Sequence, residues 1–368
     1  MSKRTNGEGT IYQDKKGLWR GELTIGYDDN GRRIKKQFSS MDLEVLQKKM
    51  NDEKYNLNRN IVIKNSDYTL KEWLEFWLHT YKLNSVKPRT YDYYESAFIL
   101  YVYDSIGNSK LDKLKTIQIQ QLYNELSSRG FATSTIRSVH VPLNQAFEQA
   151  INNELLFKNP CKGLVVPKKP PRESRPFTVE EQNKFEAACK NTTYHNFFIF
   201  LLNTGLRCGE GMAITWDDVN SYEKLLSVNK TISQIVNREK NPETKKIQVI
   251  QTTKTESGTR IVPLNKKSIQ ILESQSKDNA FVFSSNVGTV LSQRNLIRGF
   301  NILLDKSNLP KDLTVHSLRH SFATRLLEKG ANIKAVSEIL GHKNIQITMN
   351  LYSHALPNFK RQTIELLD

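Results

Sequence analysis

The stretch His316-Ser317-Leu318-Arg319-His320 holds a dense set of side chains that can bind phosphate. Farther along come Leu340-Gly341-His342 and then Leu351-Tyr352-Ser353-His354, which contains a tyrosine near the C-terminus. An upstream segment, Thr204-Gly205-Leu206-Arg207-Cys208-Gly209-Glu210, supplies a second arginine. Between them lies a lysine in Thr253-Lys254-Thr255-Glu256-Ser257-Gly258, a predicted hairpin. We interpret these segments as one chemical site around which the chain is organised.

The residue types in this set suit the attack of a phenol on a phosphodiester. Arg207 and Arg319 suit the neutralisation of a pentacoordinate phosphorane, because a planar guanidinium binds two non-bridging oxygens at once. Cations fixed in place before charge develops are usually the largest catalytic contribution. Lys254 suits a general acid that protonates the leaving 5′ oxygen.

The remaining roles fall to the histidines and the tyrosine. His316 can assist proton transfer at the nucleophile, and His342 can hydrogen-bond a non-bridging oxygen. Tyr352 is the predicted nucleophile and would form a covalent phosphotyrosine. Because that linkage stores the energy of the broken bond, religation needs no ATP. We expect no metal and no cofactor, since arginine takes the place of a metal ion.

The order and context of these segments resemble the catalytic signature of the tyrosine recombinases, the integrase family of DNA strand-exchange enzymes. Residues 204–210 match T-G-[LM]-R-x-x-E, residues 316–320 match H-x-L-R-H, and residues 340–342 match L-G-H. Residues 352–354 match Y-x-H, and residues 253–264 match T-K-T…R-x-[IV]-P-L. The resemblance implies the catalytic set Arg207, Lys254, His316, Arg319, His342 and Tyr352, with Glu210, His320 and His354 in support.

The resemblance also implies a function and partners. It implies site-specific recombination through a 3′-phosphotyrosine, which integrates and excises a mobile element. It further implies core-type and arm-type DNA attachment sites, four protomers on two DNA sites, and a possible excisionase or host DNA-bending protein.

Three alternatives stay open at this point. His316, His320 and His342 are a possible zinc ligand set, although the general-base glutamate of H-E-x-x-H is absent. A non-catalytic DNA-binding regulator would account for the charge but not for the lysine and tyrosine contexts. A type IB topoisomerase shares the chemistry, but the separate N-terminal module described below favours recombination.

The bulk composition is consistent with a nucleic-acid partner. The chain has 368 residues, which predicts two or three domains, and a formal net charge of +16. Three cysteines form no disulfide framework, which is consistent with a reducing cytoplasm. We expect no signal peptide, and no apolar run approaches the roughly 20 residues of a membrane span. These features predict a protein of the bacterial cytoplasm, associated with the nucleoid and not with membranes.

The first 66 residues predict a small α+β module. Residues 10–12, 18–27 and 32–38 have strand character, and Asn30-Gly31 is a strong hairpin signal. A helix is predicted over residues 42–58. The module resembles the arm-type DNA-binding domain of integrases. Its predicted DNA contacts are Arg32, Arg33, Lys35 and Lys36.

Residues 67–161 predict a helical domain, with a capping box from Thr69 to Glu72 and Pro88 at a helix start. This domain resembles the core-binding domain of the integrases. A basic, proline-rich linker is expected over residues 162–176, either as a plain spacer or as a further DNA contact. The predicted DNA contacts of this region are Lys87, Arg89, Lys115, Arg137, Lys168 and Lys169.

Residues 177–368 predict a mixed α/β catalytic domain with a C-terminal tail. A capping box from Thr178 to Glu181 opens it, helices run to residue 203, three strands follow, and helices return near residue 293. The predicted fold class is multidomain and mainly α with small β-sheets.

Overall fold

The computed structural model describes residues 9–27, 32–57, 68–167, 175–239, 244–252 and 258–350. The chain divides into two compact units, residues 1–169 and 170–368. Helices predominate and the sheets are small, so the predicted fold class is confirmed. Among the described helices, none is both long and apolar enough to cross a bilayer.

The N-terminal part of the first unit is an antiparallel sheet backed by one helix. Its strands are β1 (Thr10–Gln13), β2 (Trp19–Tyr27) and β3 (Arg33–Ser40), in that order, followed by α1 (Leu43–Leu57). Met50 of α1 is buried against Gly21 of β2, where a Cβ would overlap its sulfur atom. The predicted strands and helix are confirmed, whereas the Asn30-Gly31 turn lies outside the described residues.

The rest of the first unit is a helical bundle. The helices are α2 (Leu70–Trp77), which a π-helical turn (Leu78–Lys82) extends, α3 (Pro88–Tyr101), α4 (Tyr103–Ile106), α5 (Thr116–Ser128) and α6 (Thr133–Asn152). The capping box at Thr69 and the helix start at Pro88 are both present. Trp73 and Trp77 are fully buried in the bundle core, and the Trp73 indole N–H donates 3.0 Å to the Ala146 carbonyl oxygen.

The two ends of the predicted linker are each attached to a unit. In the first unit, Gln120 of α5 exchanges hydrogen bonds with the backbone of Val165, at 2.9 and 3.2 Å. In the second unit, the backbone N–H of Phe177 donates 2.8 Å to the Ser321 hydroxyl oxygen. Residues 168–174 lie outside the described residues. The predicted domain boundaries stay a prediction.

The second unit begins with helices and contains two small antiparallel sheets. Its helices are α7 (Val179–Cys189), α8 (His195–Thr204), α9 (Cys208–Ala213), α10 (Lys266–Glu273), α11 (Gln293–Lys306), α12 (Val315–Glu328), α13 (Ile333–Leu340) and α14 (Ile345–Asn350). Strands β4 (Val219–Asn220), β5 (Leu225–Val228) and β8 (Arg260–Pro263) form one sheet, and β6 (Lys230–Val236) pairs with β7 (Lys246–Thr252) in the other.

Helix α8 lies at the centre of this unit. Its apolar run, Phe197 to Leu202, is buried. Helix α12 packs against it, and α13 packs against α12 and β8. These contacts bring the segments around Arg207, Arg260, Arg319 and His342 to one end of the core.

Candidate active site

Arg207 lies where one helix ends and the next begins. Helix α8 is capped by Gly205, whose φ of 67° is in the left-handed region, and a Cβ there would overlap the Phe322 ring. Arg207 then caps α9, and its backbone N–H donates 2.9 Å to Oε2 of Glu210. Its guanidinium donates 2.6 Å to Oε1 of Glu210 and 3.3 Å to the Gly341 carbonyl oxygen. Because 40% of the side chain stays exposed, the fixed guanidinium can still meet a ligand.

Arg319 is buried, in contrast to the partly exposed Arg207. It extends from α12, and only 2% of the residue is exposed. Its guanidinium donates 2.9 Å to the carbonyl oxygen of Gly205 and 2.5 Å to that of Leu340. Burial, and then the charge of Arg207, lowers the pKa of Arg319 to about 9. The group therefore remains a cation at neutral pH.

His316 and His320 lie one helical turn apart on the same face of α12. Their rings meet edge to face with centroids 4.5 Å apart. Burial, followed by the charges of Arg319 and Arg207, lowers the pKa of His316 to about 4. Burial, followed by the charges of His316 and Arg319, also lowers the pKa of His320 to about 4. Both rings are therefore neutral at pH 7 in the absence of a ligand.

His342 follows directly after the C-cap of α13. Gly341 has a φ of 66°, which turns the chain out of the helix, and the His342 backbone N–H donates 3.1 Å to the Ser337 carbonyl oxygen. Nδ1 of the ring lies 2.8 Å from the hydroxyl oxygen of Thr348. Burial, and then Arg319 and Arg207, lowers the pKa of His342 to about 4. With Nδ1 engaged, Nε2 is the ring nitrogen available to a ligand.

Glu210 and Arg260 complete the constellation. Glu210 is 4% exposed, and the Arg260 guanidinium reaches both of its carboxylate oxygens, at 2.9 and 3.3 Å. Burial alone would raise the pKa of Glu210, but the bonds and charges of Arg260 and Arg207 hold it at about 2. The sequence motifs implied only a supporting role for Glu210 and did not single out Arg260. The signal for Arg260 was its place in the R-x-[IV]-P-L pattern.

The constellation suits a phosphate group. Three arginines and one glutamate leave a net charge of +2, while the nearby histidines are neutral. Fixed guanidinium groups bind phosphate oxygens and stabilise the charge that develops on them. Among the described residues, no group of three or more His, Cys, Asp or Glu side chains is arranged to hold a metal ion. The three-histidine zinc alternative therefore has no ligand set in this part of the chain.

Comparison with known proteins decides the family. Residues 176–358 match the Phage integrase family, and residues 69–127 match the Phage integrase, N-terminal SAM-like domain. The chain is 30% identical to a "Tyrosine recombinase XerC-like" protein of Caldanaerobacter subterraneus subsp. tengcongensis, over 100% of this chain and 99% of that one. The chain belongs to the tyrosine recombinases. It is a site-specific DNA recombinase, of the kind that integrates and excises mobile elements.

Two further likenesses agree with this assignment. The recombinase is 23% identical to the ICEBs1 integrase of Bacillus subtilis, over 96% of this chain and 97% of that one. Its fold is similar to that of the Tn1549 transposon integrase, solved in complex with a circular intermediate DNA. That structure covers 82% of this chain and 100% of its own, with a TM-score of 0.70 and 24% identity.

Two of the predicted catalytic residues, Lys254 and Tyr352, lie outside the described residues, as does His354. The predicted hairpin around Lys254 falls on residues 253–257 and so lies outside the described residues as well. The described strands that flank it lie in different sheets, since β7 pairs with β6 and β8 pairs with β5.

The predicted DNA contacts of the N-terminal sheet are divided between its faces. Lys36 is the direct partner of Leu23, which is buried on the face that carries α1. Lys35 is the partner of Thr24 on the opposite face, where it forms a 3.2 Å ion pair with Glu22. Arg33 shares the face of Lys35 by strand alternation, and Arg32 precedes the strand.

The remaining predicted DNA contacts of the recombinase lie in the helical bundle or beyond it. Lys87 caps α3 and is half-buried, and Arg89 is exposed in the first turn of that helix. Lys115 caps α5 and is exposed. Arg137 is exposed on α6, with its Nε 3.4 Å from the Pro167 carbonyl oxygen. Lys168 and Lys169 lie outside the described residues.

Proposed function

We propose that Arg207, Lys254, His316, Arg319, His342 and Tyr352 catalyse strand cleavage and religation. The Tyr352 oxygen attacks the scissile phosphorus, and the bond from phosphorus to the 5′ oxygen breaks. The products are a 3′-phosphotyrosine and a free 5′ hydroxyl. Attack of another 5′ hydroxyl reverses the chemistry and joins the strand to a new partner. No nucleotide cofactor is consumed, because the number of phosphodiester-type bonds is unchanged.

The observation that supports this proposal most is the convergence of two arginines on the same helix end. Arg207 and Arg319 donate to the adjacent carbonyl oxygens of Gly341 and Leu340. Arg207 is the open member and would hold non-bridging oxygens directly. Arg319 adds a buried positive charge. Its attraction to the phosphate is screened less than that of an exposed charge, because the dielectric constant of the protein interior is low.

The histidines would handle the proton of the nucleophile and one phosphate oxygen. A neutral His316 can accept the phenol proton, since its pKa is held near 4 in the unliganded site. His342 would donate from Nε2 to a non-bridging oxygen, while the Thr348 hydroxyl group holds Nδ1. Lys254 would give its proton to the leaving 5′ oxygen.

The assembly we propose follows from the number of cuts. Exchange between two duplexes requires four strand cleavages, and each chain supplies one Tyr352. Four protomers on two attachment sites would supply one tyrosine for each cleavage. We place the reaction in the bacterial cytoplasm at the nucleoid, with an excisionase or a host DNA-bending protein as a possible director of the outcome.

We also propose three domains. Residues 1–66 would bind arm-type sites, residues 67–161 and 177–368 would grip the core site, and residues 162–176 would link them. Deletion of residues 1–66 should spare cleavage of a core site and abolish recombination between full attachment sites. Normal recombination of full sites by the truncated chain would exclude the arm-binding role.

The test of the proposed chemistry is covalent trapping on a nicked duplex taken from the ends of the mobile element. The nick lets a short fragment leave, so the protein–DNA adduct accumulates and survives denaturing electrophoresis. We expect an adduct with and without EDTA. Loss of the adduct on chelation, with recovery on addition of Zn²⁺, would contradict the metal-independent mechanism. A supercoiled plasmid that lacks the sites should not be relaxed, which distinguishes the recombinase from a topoisomerase.

A further inference from the structure

The carboxyl end of α13 is bound by three different arginines. A helix C-terminus leaves its last carbonyl oxygens without intrahelical partners and carries partial negative charge, so cations are favoured there. Here three consecutive carbonyl oxygens each accept from a separate guanidinium. The bonds join Arg260 to Ile339 at 2.5 Å, Arg319 to Leu340 at 2.5 Å, and Arg207 to Gly341 at 3.3 Å.

Arg260 differs from the other two arginines in its second set of contacts. The Arg260 guanidinium forms an ion pair with Glu210, in which its Nη2 atom donates 2.9 Å to Oε2 of the carboxylate. Glu210 also accepts from Arg207, so two guanidinium groups share one carboxylate. A buried carboxylate paired with Arg207 alone would cancel the charge of that arginine. Because Arg260 also pairs with this carboxylate, the group formed by Arg207, Arg260 and Glu210 keeps one net positive charge.

The side chain of Arg260 also reaches the segment that contains Lys254. Its Nη1 atom donates 3.1 Å to the carbonyl oxygen of Gly258, the first described residue after that segment. The Arg260 side chain is 6% exposed. It therefore has little surface to offer to DNA, and its influence on the reaction must pass through the groups that it holds.

We propose that Arg260 is a positioning residue for strand cleavage. It aims the Arg207 guanidinium at the scissile phosphate through Glu210, and it sets the position of His342 through the Ile339 carbonyl oxygen. The inference rests on the proposed function, since it requires Arg207 to meet the phosphate. It adds a buried residue on β8 to the determinants of the reaction.

The test compares two nicked duplexes from the ends of the mobile element. One carries the natural scissile phosphate, and the other carries a methylphosphonate there, which has a methyl group in place of one non-bridging oxygen. The phosphorane formed from the methylphosphonate bears one negative charge fewer, so it depends less on a well-placed guanidinium. Adduct formation is followed in single turnover with the full chain.

We expect Arg260→Gln to form adduct about 100-fold more slowly than the unmodified chain on the natural phosphate, as for loss of one preorganised donor. On the methylphosphonate this deficit should shrink at least about tenfold, and Arg207→Ala should show the same pattern. The matched control is Arg325→Gln, which removes an arginine of the same unit that also binds a carboxylate, that of Glu328, and a backbone carbonyl oxygen, that of Phe177. It should behave as the unmodified chain on both duplexes.

Equal deficits of Arg260→Gln on the two duplexes, or no deficit on either, would overturn the proposal. Arg260→Lys retains the charge and provides the same comparison if the glutamine variant shows no cooperative thermal transition. The proposed function fails in a different way, because the unmodified chain would then form no adduct on either duplex.

Discussion

The guanidinium of Arg319 donates a hydrogen bond of 2.9 Å to the carbonyl oxygen of Gly205, the residue that caps helix α8. This bond joins the two arginine-bearing segments of the site, which lie far apart in the sequence. Because Arg207 follows Gly205 by two residues, the position of one arginine depends on the backbone that the other one holds. The glycine is required by its left-handed φ and by the lack of space for a Cβ.

Gly205→Ala should therefore damage both stability and cleavage. The added methyl group would overlap the Phe322 ring and lie 2.9 Å from Cδ2 of Leu340, so the backbone or its neighbours must shift. Gly330→Ala is the matched control, since Gly330 has a φ of 82° but no atom within 4 Å of the added Cβ. We expect a loss of about 1 kcal/mol for Gly330→Ala and at least twice that for Gly205→Ala, measured by urea unfolding. Equal losses would show that the overlap is relieved at no cost.

The two arginines should respond differently to lysine. Arg207→Lys should keep the stability of the protein, because the side chain is 40% exposed, but it loses the two-pronged contact with phosphate. Loss of two charge-assisted bonds in the transition state costs about 3–6 kcal/mol, which is several decades in rate.

Arg319→Lys should lower both stability and cleavage. The two bonds to the carbonyl oxygens of Gly205 and Leu340 leave from Nη1 and Nη2, whereas lysine has a single nitrogen at the end of its side chain. We expect one buried acceptor to lose its partner, which costs about 1–3 kcal/mol. Thermal unfolding and adduct yield, measured on both variants, separate the two effects. An Arg319→Lys variant as stable as the unmodified chain would contradict the buried geometry.

The histidines of the site predict an acid-dependent loss of stability. In the native protein the pKa values of His316, His320 and His342 are lowered to about 4, whereas an unfolded histidine has its ordinary value near 6.5. Between these values the unfolded chain binds more protons, so stability is full above about pH 6.5 and falls toward pH 4. The buried His320 contributes up to about 1.4 kcal/mol per pH unit, and the more exposed His316 and His342 contribute less because solvent screens their charges.

The measurement is urea unfolding of the free protein from pH 7 to pH 4. His320→Gln should reduce the slope, because His320 is buried, whereas His79→Gln, at an exposed position, should leave it unchanged. An unchanged slope in His320→Gln would show that the ring is accessible to protons in the native state.

The division of the N-terminal sheet predicts unequal roles for its lysines. Lys35 lies on the face away from α1, whereas Lys36 shares a face with the buried Leu23. Lys35→Gln should weaken binding to an arm-type duplex and reduce the dependence of log K on log salt by about 1. Lys36→Gln should have a smaller effect on both quantities. The reverse order, measured by salt titration of binding, would assign the contact to the other face or edge of the sheet.

The sequence predicted much of the fold because its signals are local. Capping boxes at Thr69 and Thr178, the helix start at Pro88 and the apolar run of α8 each depend on residues a few positions apart. Strands β4 and β6 and helix α10 were not predicted. Strand β6 begins with a lysine and contains polar residues, and its pairing with β7 along its whole length is a tertiary feature.

The residues of the site could be predicted where they belong to a sequence motif with a clear chemical role. They could not be predicted where the contact depends on groups that only the fold brings together. Arg207, Arg319, His316 and His342 could be named from their patterns. The role of Arg260 could not, because it depends on a carboxylate and a helix end that only the tertiary structure places beside it. The hairpin predicted around Lys254 lies outside the described residues and stays a prediction.

The proposed chemistry requires Tyr352 to be the nucleophile, and mapping the covalent linkage identifies the residue that attacks the phosphate. The adduct on the nicked duplex should be digested with protease and nuclease and analysed by mass spectrometry. We expect a nucleotide joined through its 3′ phosphate to the peptide that contains Tyr352, and a free 5′ hydroxyl on the released fragment. Tyr352→Phe should bind the duplex and form no adduct. A linkage to another residue, or an adduct of normal yield in Tyr352→Phe, would show that Tyr352 is not the nucleophile.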